Sequence, residues 1–168
     1  MDAAGALATI SQLAMAVTGF AGLLAAFRSR RRRWLEIEVV ALHFLLLASI
    51  SACLLGLLPL VLETAASEAS PAWRFCQLLL GGWLLFLFAW QYQKGWRKGL
   101  RPRRPSINAA MWLAGFGLAL GNIAASARLI DALTPAVIYL AGLFWLLLGA
   151  ILQFVVQVVH SLDPADEA

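Results

Sequence analysis

The sequence predicts an all-α fold, a bundle of five transmembrane helices. Of its 168 residues, 62% are hydrophobic and only 13% are charged, whereas about 25% are charged in an average soluble domain. The mean hydropathy is +0.81, and five apolar runs each approach the roughly 20 residues that a spanning helix needs. A small soluble domain leaves too much surface exposed to hide so many apolar residues. The composition therefore excludes soluble globular, disordered and disulfide-rich secreted classes.

The first three spans follow from long apolar runs. Span one contains no charged residue. Span two follows Glu36 and Glu38, whose carboxylates complement the positive end of a helix dipole. Span three is the shortest and contains Gly81 and Gly82. The predicted ranges are residues 3–27, 39–62 and 75–92.

The fourth and fifth spans begin at recognisable start signals. Ser106 is a capping residue, and Pro105 disfavours helix at the position before it. Thr134 and Pro135 mark the start of span five, because proline suits the first helical position. The predicted ranges are residues 107–127 and 135–159, and the remaining chain is too short for a second domain.

The basic residues predict the orientation. All but two of the 13 Lys and Arg residues fall in loops at 28–38 and 93–106. Basic loops stay in the cytoplasm, which predicts an N-out, C-in arrangement. Binding to anionic lipid, worth about 1 kcal/mol per basic residue near the surface, is expected for Arg30, Arg31, Arg32, Arg33, Lys94, Arg97, Lys98, Arg101, Arg103 and Arg104. The alternative is a nucleic acid that stacks on Trp96, and we expect no such partner.

Small residues recur on one face of several spans. Such residues let helix backbones approach, which is how helices associate in lipid. Packing inside one chain and packing between copies in a homo-oligomer both fit this pattern. The residues expected in these seams are Thr18, Gly22, Gly117, Gly121, Gly142 and Gly149.

Polar residues form a stripe on the cytoplasmic half of span five. Gln153, Gln157 and His160 share one face, and His43 lies at a similar depth in span two. Lipid does not tolerate such a stripe, so it must face protein or water. The sequence therefore predicts either a polar path or an interhelical hydrogen-bonded cluster. A second polar layer is expected on the outer side, from Gln12, Gln77 and Asn122.

Missing residue sets restrict the chemistry. No Asp, Glu, Lys or Arg lies deep in a predicted span, although ion-coupled transporters usually need one. The sequence has no zinc-protease, nucleophile-elbow or phosphate-loop motif. The two His residues and the two Cys residues form no ligand pair or redox motif. We therefore expect no metal, no cofactor and no enzymatic activity.

One stretch resembles a group of known sequences. Residues 9–12 read Thr-Ile-Ser-Gln, residues 18–22 read Thr-Gly-Phe-Ala-Gly, and an Arg loop follows. Together with the end of span two at Leu57–Leu60, this resembles small uncharacterised bacterial membrane proteins. The resemblance covers about a third of the chain and implies a bacterial inner membrane, without an activity.

These observations predict a small, self-assembling, channel-like membrane subunit with a polar stripe on span five. The alternative is a non-conducting subunit or scaffold that binds a membrane or cytoplasmic protein. A third interpretation, a redox protein, requires His43 and His160 to hold a cofactor. The sequence leaves open whether Trp83 and Trp145 face lipid, a ligand or another subunit.

Overall fold

The protein consists of five α-helices in the computed structural model, which describes residues 3–29, 36–65, 69–97, 105–129 and 135–162. Each predicted span falls on one helix, which confirms the all-α prediction. Most helices extend past the apolar run into the flanking polar sequence. The helices are α1 (Ala3–Ser29), α2 (Glu36–Ala65), α3 (Ala69–Arg97), α4 (Pro105–Ser126) and α5 (Pro135–Leu162).

Four helices are long and apolar enough to cross a membrane, namely α1, α2, α3 and α5. The fourth helix of the chain, α4, has a shorter apolar segment at Ala110–Ser126. Span three, predicted to be the shortest, instead has an apolar stretch over Ala72–Gln93. It is longer than predicted because α3 begins at Ala69, before the predicted start at residue 75.

Helix α5 lies at the centre of the bundle. It packs against all four other helices, whereas α1 contacts only α2 and α5, and α4 contacts only α3 and α5, within the described residues. The face of α5 that meets the other helices is apolar and closed to solvent, with Leu143, Leu146 and Ala150 fully buried. The bundle is therefore built on α5, with α1 and α4 on its two outer sides.

Helix α4 ends in a Schellman motif. Arg128 has a left-handed φ of 58°, the conformation that such a helix end requires and that glycine usually supplies. The amide of Leu129 donates to the carbonyl of Ala124 at 2.9 Å, and the amide of Arg128 donates to Ala125 at 3.1 Å. These bonds satisfy carbonyls that the end of a helix would otherwise leave unpaired.

Glycines mark the closest contacts between helices. A Cβ added to Gly81 of α3 would lie 2.9 Å from the backbone oxygen of Ala119 in α4, and one added to Gly142 of α5 would lie 2.9 Å from Leu80 Cδ2. A Cβ on Gly56 would meet the Ser11 hydroxyl in α1. These three positions therefore need glycine, because the neighbouring helix occupies the space of a side chain.

Gly81→Ala is expected to lower the free energy of unfolding by about 1–3 kcal/mol, the usual cost of overpacking. The clash is with backbone, which cannot rotate away as a side chain can. Gly82→Ala is the matched control, because no described atom lies within 4 Å of the added Cβ and alanine favours the helix. Denaturant titration in detergent micelles measures the free energy of unfolding of both purified variants and of the original protein. Equal stability of the two variants would contradict this packing.

Candidate functional site

The two glutamines of the predicted stripe on span five lie on the inner face of α5, which also carries Tyr139 and two of the seam glycines. Tyr139, Gly142 and Gly149 are buried, Gln157 is buried and Gln153 is half-buried. The Nε2 of Gln157 donates a long hydrogen bond of 3.5 Å to the backbone carbonyl of Glu38 in α2. The two Gln residues therefore lie where the C-terminal half of α5 approaches the start of α2.

His43 lies on a different side of α2. Its side chain is exposed, and its Nδ1 is 2.7 Å from the carbonyl oxygen of Val39 one turn earlier. Five residues of helix rotate by about 140°, so His43 is turned away from Glu38, where Gln157 binds. The side chain of His160 lies outside the described residues. Of the four predicted residues, Gln153 and Gln157 thus share the inner face, and His43 does not.

The second polar layer is divided in a similar way. Gln77 and Asn122 are fully buried, whereas Gln12 is exposed on the outer surface of α1. The Nδ2 of Asn122 donates to the carbonyl of Leu118 at 2.9 Å and to that of Ile138 in α5 at 3.3 Å. Its Oδ1 accepts no hydrogen bond from the described residues. Asn122 therefore links α4 to α5, while Gln12 belongs to another surface.

A hydrogen bond from α5 repairs a break in α2, and sequence reasoning did not anticipate it. Pro59 lies inside α2 and has no N–H, so it cannot donate to the carbonyl of Leu55 four residues earlier. The hydroxyl of Tyr139 donates to that carbonyl at 2.5 Å. Both Pro59 and Tyr139 are fully buried. The signal in the sequence was the proline itself, but the partner on α5 was not visible there.

One aromatic contact and a second hydrogen bond lie beside this bond. The ring of Trp73 in α3 packs edge-on against Tyr139, with 5.8 Å between ring centroids. The Nε1–H of Trp73 donates to the carboxylate of Glu63 near the end of α2 at 2.7 Å. Helices α2, α3 and α5 are thereby joined around the side chain of Tyr139.

The two mid-span tryptophans face the bundle. The Nε1–H of Trp83 donates to the hydroxyl of Ser51 in α2 at 2.7 Å. Trp145 packs against Phe88, with 5.4 Å between ring centroids, and both rings fill the space over Gly115. Their rings thus contact neighbouring helices of the same chain.

The small-residue seams divide into inner and outer positions. Thr18 faces α2, where its hydroxyl is hydrogen-bonded to that of Ser49 at 2.8 Å. Gly142 and Gly149 face the interior, and a Cβ on Gly121 would lie 3.7 Å from Ile138. No described atom lies within 4 Å of a Cβ added to Gly22 or Gly117. Those two glycines lie on outer faces of α1 and α4.

The predicted contacts with anionic lipid fall outside the described side chains. Positions 30–33 and 98–104 lie between the described segments. Lys94 and Arg97 are on the last turns of α3, and nothing further is described of their side chains. The lipid interaction therefore stays a prediction from the sequence.

Within the described part of the chain, no three His, Cys, Asp or Glu residues are grouped so as to hold a metal ion. Cys53 and Cys76 are both buried free thiols. The polar side chains of the interior bond mainly to backbone carbonyls of their own or a neighbouring helix. Among the described residues, these bonds support helix packing.

Comparison with known proteins adds no relative: no family model, no curated protein and no solved structure matches this chain.

Tyr139→Phe is expected to lower the free energy of unfolding by about 1–3 kcal/mol, because it leaves the carbonyl of Leu55 buried without a donor. The same substitution in a Pro59→Ala background is expected to cost much less, since that replacement restores the backbone N–H within α2. Denaturant titrations of the four proteins in detergent micelles measure the difference. An equal cost in both backgrounds would show that the hydroxyl does not compensate for the proline.

Proposed function

We propose that this protein is a non-enzymatic integral membrane subunit that assembles with further copies of itself. One observation carries the proposal: Gly22 and Gly117 lie on open outer faces, whereas Gly81 and Gly142 are closed by neighbouring helices. Glycine is unfavourable in a helix unless close packing needs it, and small residues on helix surfaces promote association in lipid. The outer glycines therefore mark surfaces suited to helices of another chain.

In this proposal all five helices cross the bilayer, with the N-terminus outside and the C-terminus in the cytoplasm. Helix α4 has 22 residues, which at 1.5 Å per residue extend about 33 Å and can reach across the hydrocarbon core, although its apolar segment is the shorter Ala110–Ser126. The basic loops at 28–38 and 93–106 support this orientation, and the resemblance implies a bacterial inner membrane. A green fluorescent domain fused after Ala168 is expected to fluoresce. If instead only a reporter that works after export is active when fused at that position, the C-terminus lies outside and the proposed orientation is wrong.

The polar residues in the described part of the chain favour a role without chemistry. Among the described residues the interior polar groups serve helix packing, and the spans carry no deeply placed charged residue. Intramembrane enzymes and ion-coupled transporters usually place ionisable groups there. We therefore assign the role of this protein to its assembly with further copies and not to a chemical reaction.

Native mass spectrometry of the protein, extracted gently from its own membrane, tests the proposal. The expected result is a complex whose mass is a multiple of 18.2 kDa. A complex with a different protein would support the alternative, a partner-binding subunit or scaffold. A monomer under conditions that keep known membrane complexes intact would contradict both.

Conduction is a second candidate function, favoured by the position of Gln153 and Gln157. These residues share a face at the cytoplasmic end of α5, and Gln157 reaches the backbone of α2. In an assembly, such polar side chains can line a gated path for an ion or small solute. The path would then begin between α5 and α2.

Gln153→Leu is expected to change the flux of ions or small solutes into liposomes that contain the protein, because it removes polar lining from the path. Gln93→Leu is the matched control, since this amide is exposed at the far end of α3. Flux is followed with an entrapped fluorescent indicator. Equal flux for both variants and the original protein would remove Gln153 from any path.

A further inference from the structure

An amide group is exposed in the middle of the α1 span. Gln12 lies on the outer surface of α1, about 4 Å along the axis from the centre of the apolar segment Ala3–Ala26, at 1.5 Å per residue. Among the hydrogen bonds of the described residues, none involves its side chain. Hydrocarbon offers an amide no hydrogen bond, so an unpaired amide in hydrocarbon is unfavourable. Gln12 therefore needs a polar partner that the described bundle does not supply.

The residues around Gln12 suit a close helix contact. Six residues from Gly5 to Leu23 follow one another at steps of three and four, which keeps them within an arc of about 80° on α1. All six are exposed. No described atom lies within 4 Å of a Cβ on Gly5 or Gly19. The hydroxyl of Thr9 already donates to the carbonyl of Gly5 at 2.8 Å, so Gln12 is the polar group that needs a partner. The Gln12 face consists of Gly5, Thr9, Gln12, Ala16, Gly19 and Leu23.

The rest of the described bundle leaves this face open. Helix α1 contacts α2 and α5 and no other described helix, and it does so through Leu7, Ser11 and Ala14, which are buried. The Gln12 face points away from these residues. Its neighbours in the membrane are therefore lipid or another chain.

We propose that the Gln12 face is the surface through which two copies of this chain pack against each other. The inference rests on the self-assembly proposed above and assigns it to α1. The two α1 helices lie parallel about a two-fold axis along the membrane normal. The amides of the two Gln12 residues form hydrogen bonds across that axis, and the glycines allow the backbones to approach.

Two physical arguments favour a second copy as the occupant. Copies inserted in the same orientation carry Gln12 at the same depth, so the two amides meet without any adjustment of helix position. An amide also has both donors and an acceptor, so it complements itself in the symmetric contact that a two-fold axis requires. A different chain would need a polar residue that happens to lie at this depth.

Cysteine cross-linking in the native membrane locates the contact. In a background with Cys53→Ala and Cys76→Ala, the variant Ala16→Cys is expected to form a disulfide-linked dimer on mild oxidation. The control Ile50→Cys, at an exposed position in the middle of α2, is expected to remain monomeric. Cross-links of Gly117→Cys, on the open face of α4, without those of Ala16→Cys would overturn the inference while leaving self-assembly intact. Cross-links of Ala16→Cys only to a different protein would overturn it as well.

Energy transfer in liposomes tests the role of the amide with both cysteines in place. Donor and acceptor fluorescent domains are fused after Ala168, and transfer is followed as the protein-to-lipid ratio changes. Gln12→Leu is expected to weaken dimerisation by about 3- to 30-fold, the range for a polar contact between membrane helices. Gln12→Asn, which keeps the amide, is expected to retain most of it. Leucine suits a lipid-facing site, so loss of the fold does not explain the effect.

Gln93→Leu, the same substitution at the end of α3, is the control and is expected to leave dimerisation unchanged. Unchanged dimerisation of Gln12→Leu would overturn the inference, with self-assembly then attributed to another face. No energy transfer in the original protein at any protein-to-lipid ratio would contradict the proposed self-assembly itself.

Discussion

The bundle depends on the satisfaction of one backbone carbonyl in a region where water is unavailable. Pro59 prevents α2 from pairing the carbonyl of Leu55, and a buried carbonyl without a donor is costly. Tyr139 on α5 supplies the missing donor. Because the hydroxyl must reach that oxygen, it fixes α5 against α2, and Trp73 then holds α3 against the same ring. Pro59 would weaken an isolated helix, but here the carbonyl that it leaves unpaired connects α2 to α5, and through Trp73 to α3.

Around this link, glycine decides which helices come close. Gly142 makes room on α5 for Leu80 and Asn122, and Gly81 makes room on α3 for the backbone of α4. Apolar burial gains little between helices in lipid, so close backbone approach and interhelical hydrogen bonds provide the attraction. Gly22 on α1 and Gly117 on α4 would allow the same close approach of another helix. No described helix occupies the space beside them.

The polar residues separate into those that the bundle uses and those that it leaves outside. Asn122 and Gln157 donate to carbonyls of neighbouring helices, so their polarity supports the fold. His43 bonds to its own helix, which reduces its demand for a partner. Gln12 has neither arrangement among the described residues, and its demand falls on whatever lies beside α1. The proposed self-assembly uses this amide, which the described bundle leaves without a partner.

Periodicity and hydropathy predicted all five helices, because in a membrane each span must satisfy its own backbone and so must be a long apolar helix. The inner stripe of α5 was also predictable, since residues three and four apart share a face. For α1 and α4, the small residues identified a stripe but not the side it faced: Ser11 points inward, whereas Gly22 and Gly117 point outward. The same ambiguity made Gln12, Gln77 and Asn122 look like one layer.

The helices, their approximate lengths and the polar residues within them could all be predicted from the order of amino acids. The central position of α5, the closure of particular glycines and the bond from Tyr139 to the carbonyl freed by Pro59 emerged only from the packed bundle. The physical reason is that the local sequence pattern determines where a helix forms and which residues share a face. Which helix packs against that face depends on how each helix is rotated about its axis and on residues far away in the chain. Leu55 and Tyr139 are 84 residues apart, and no local signal connects them.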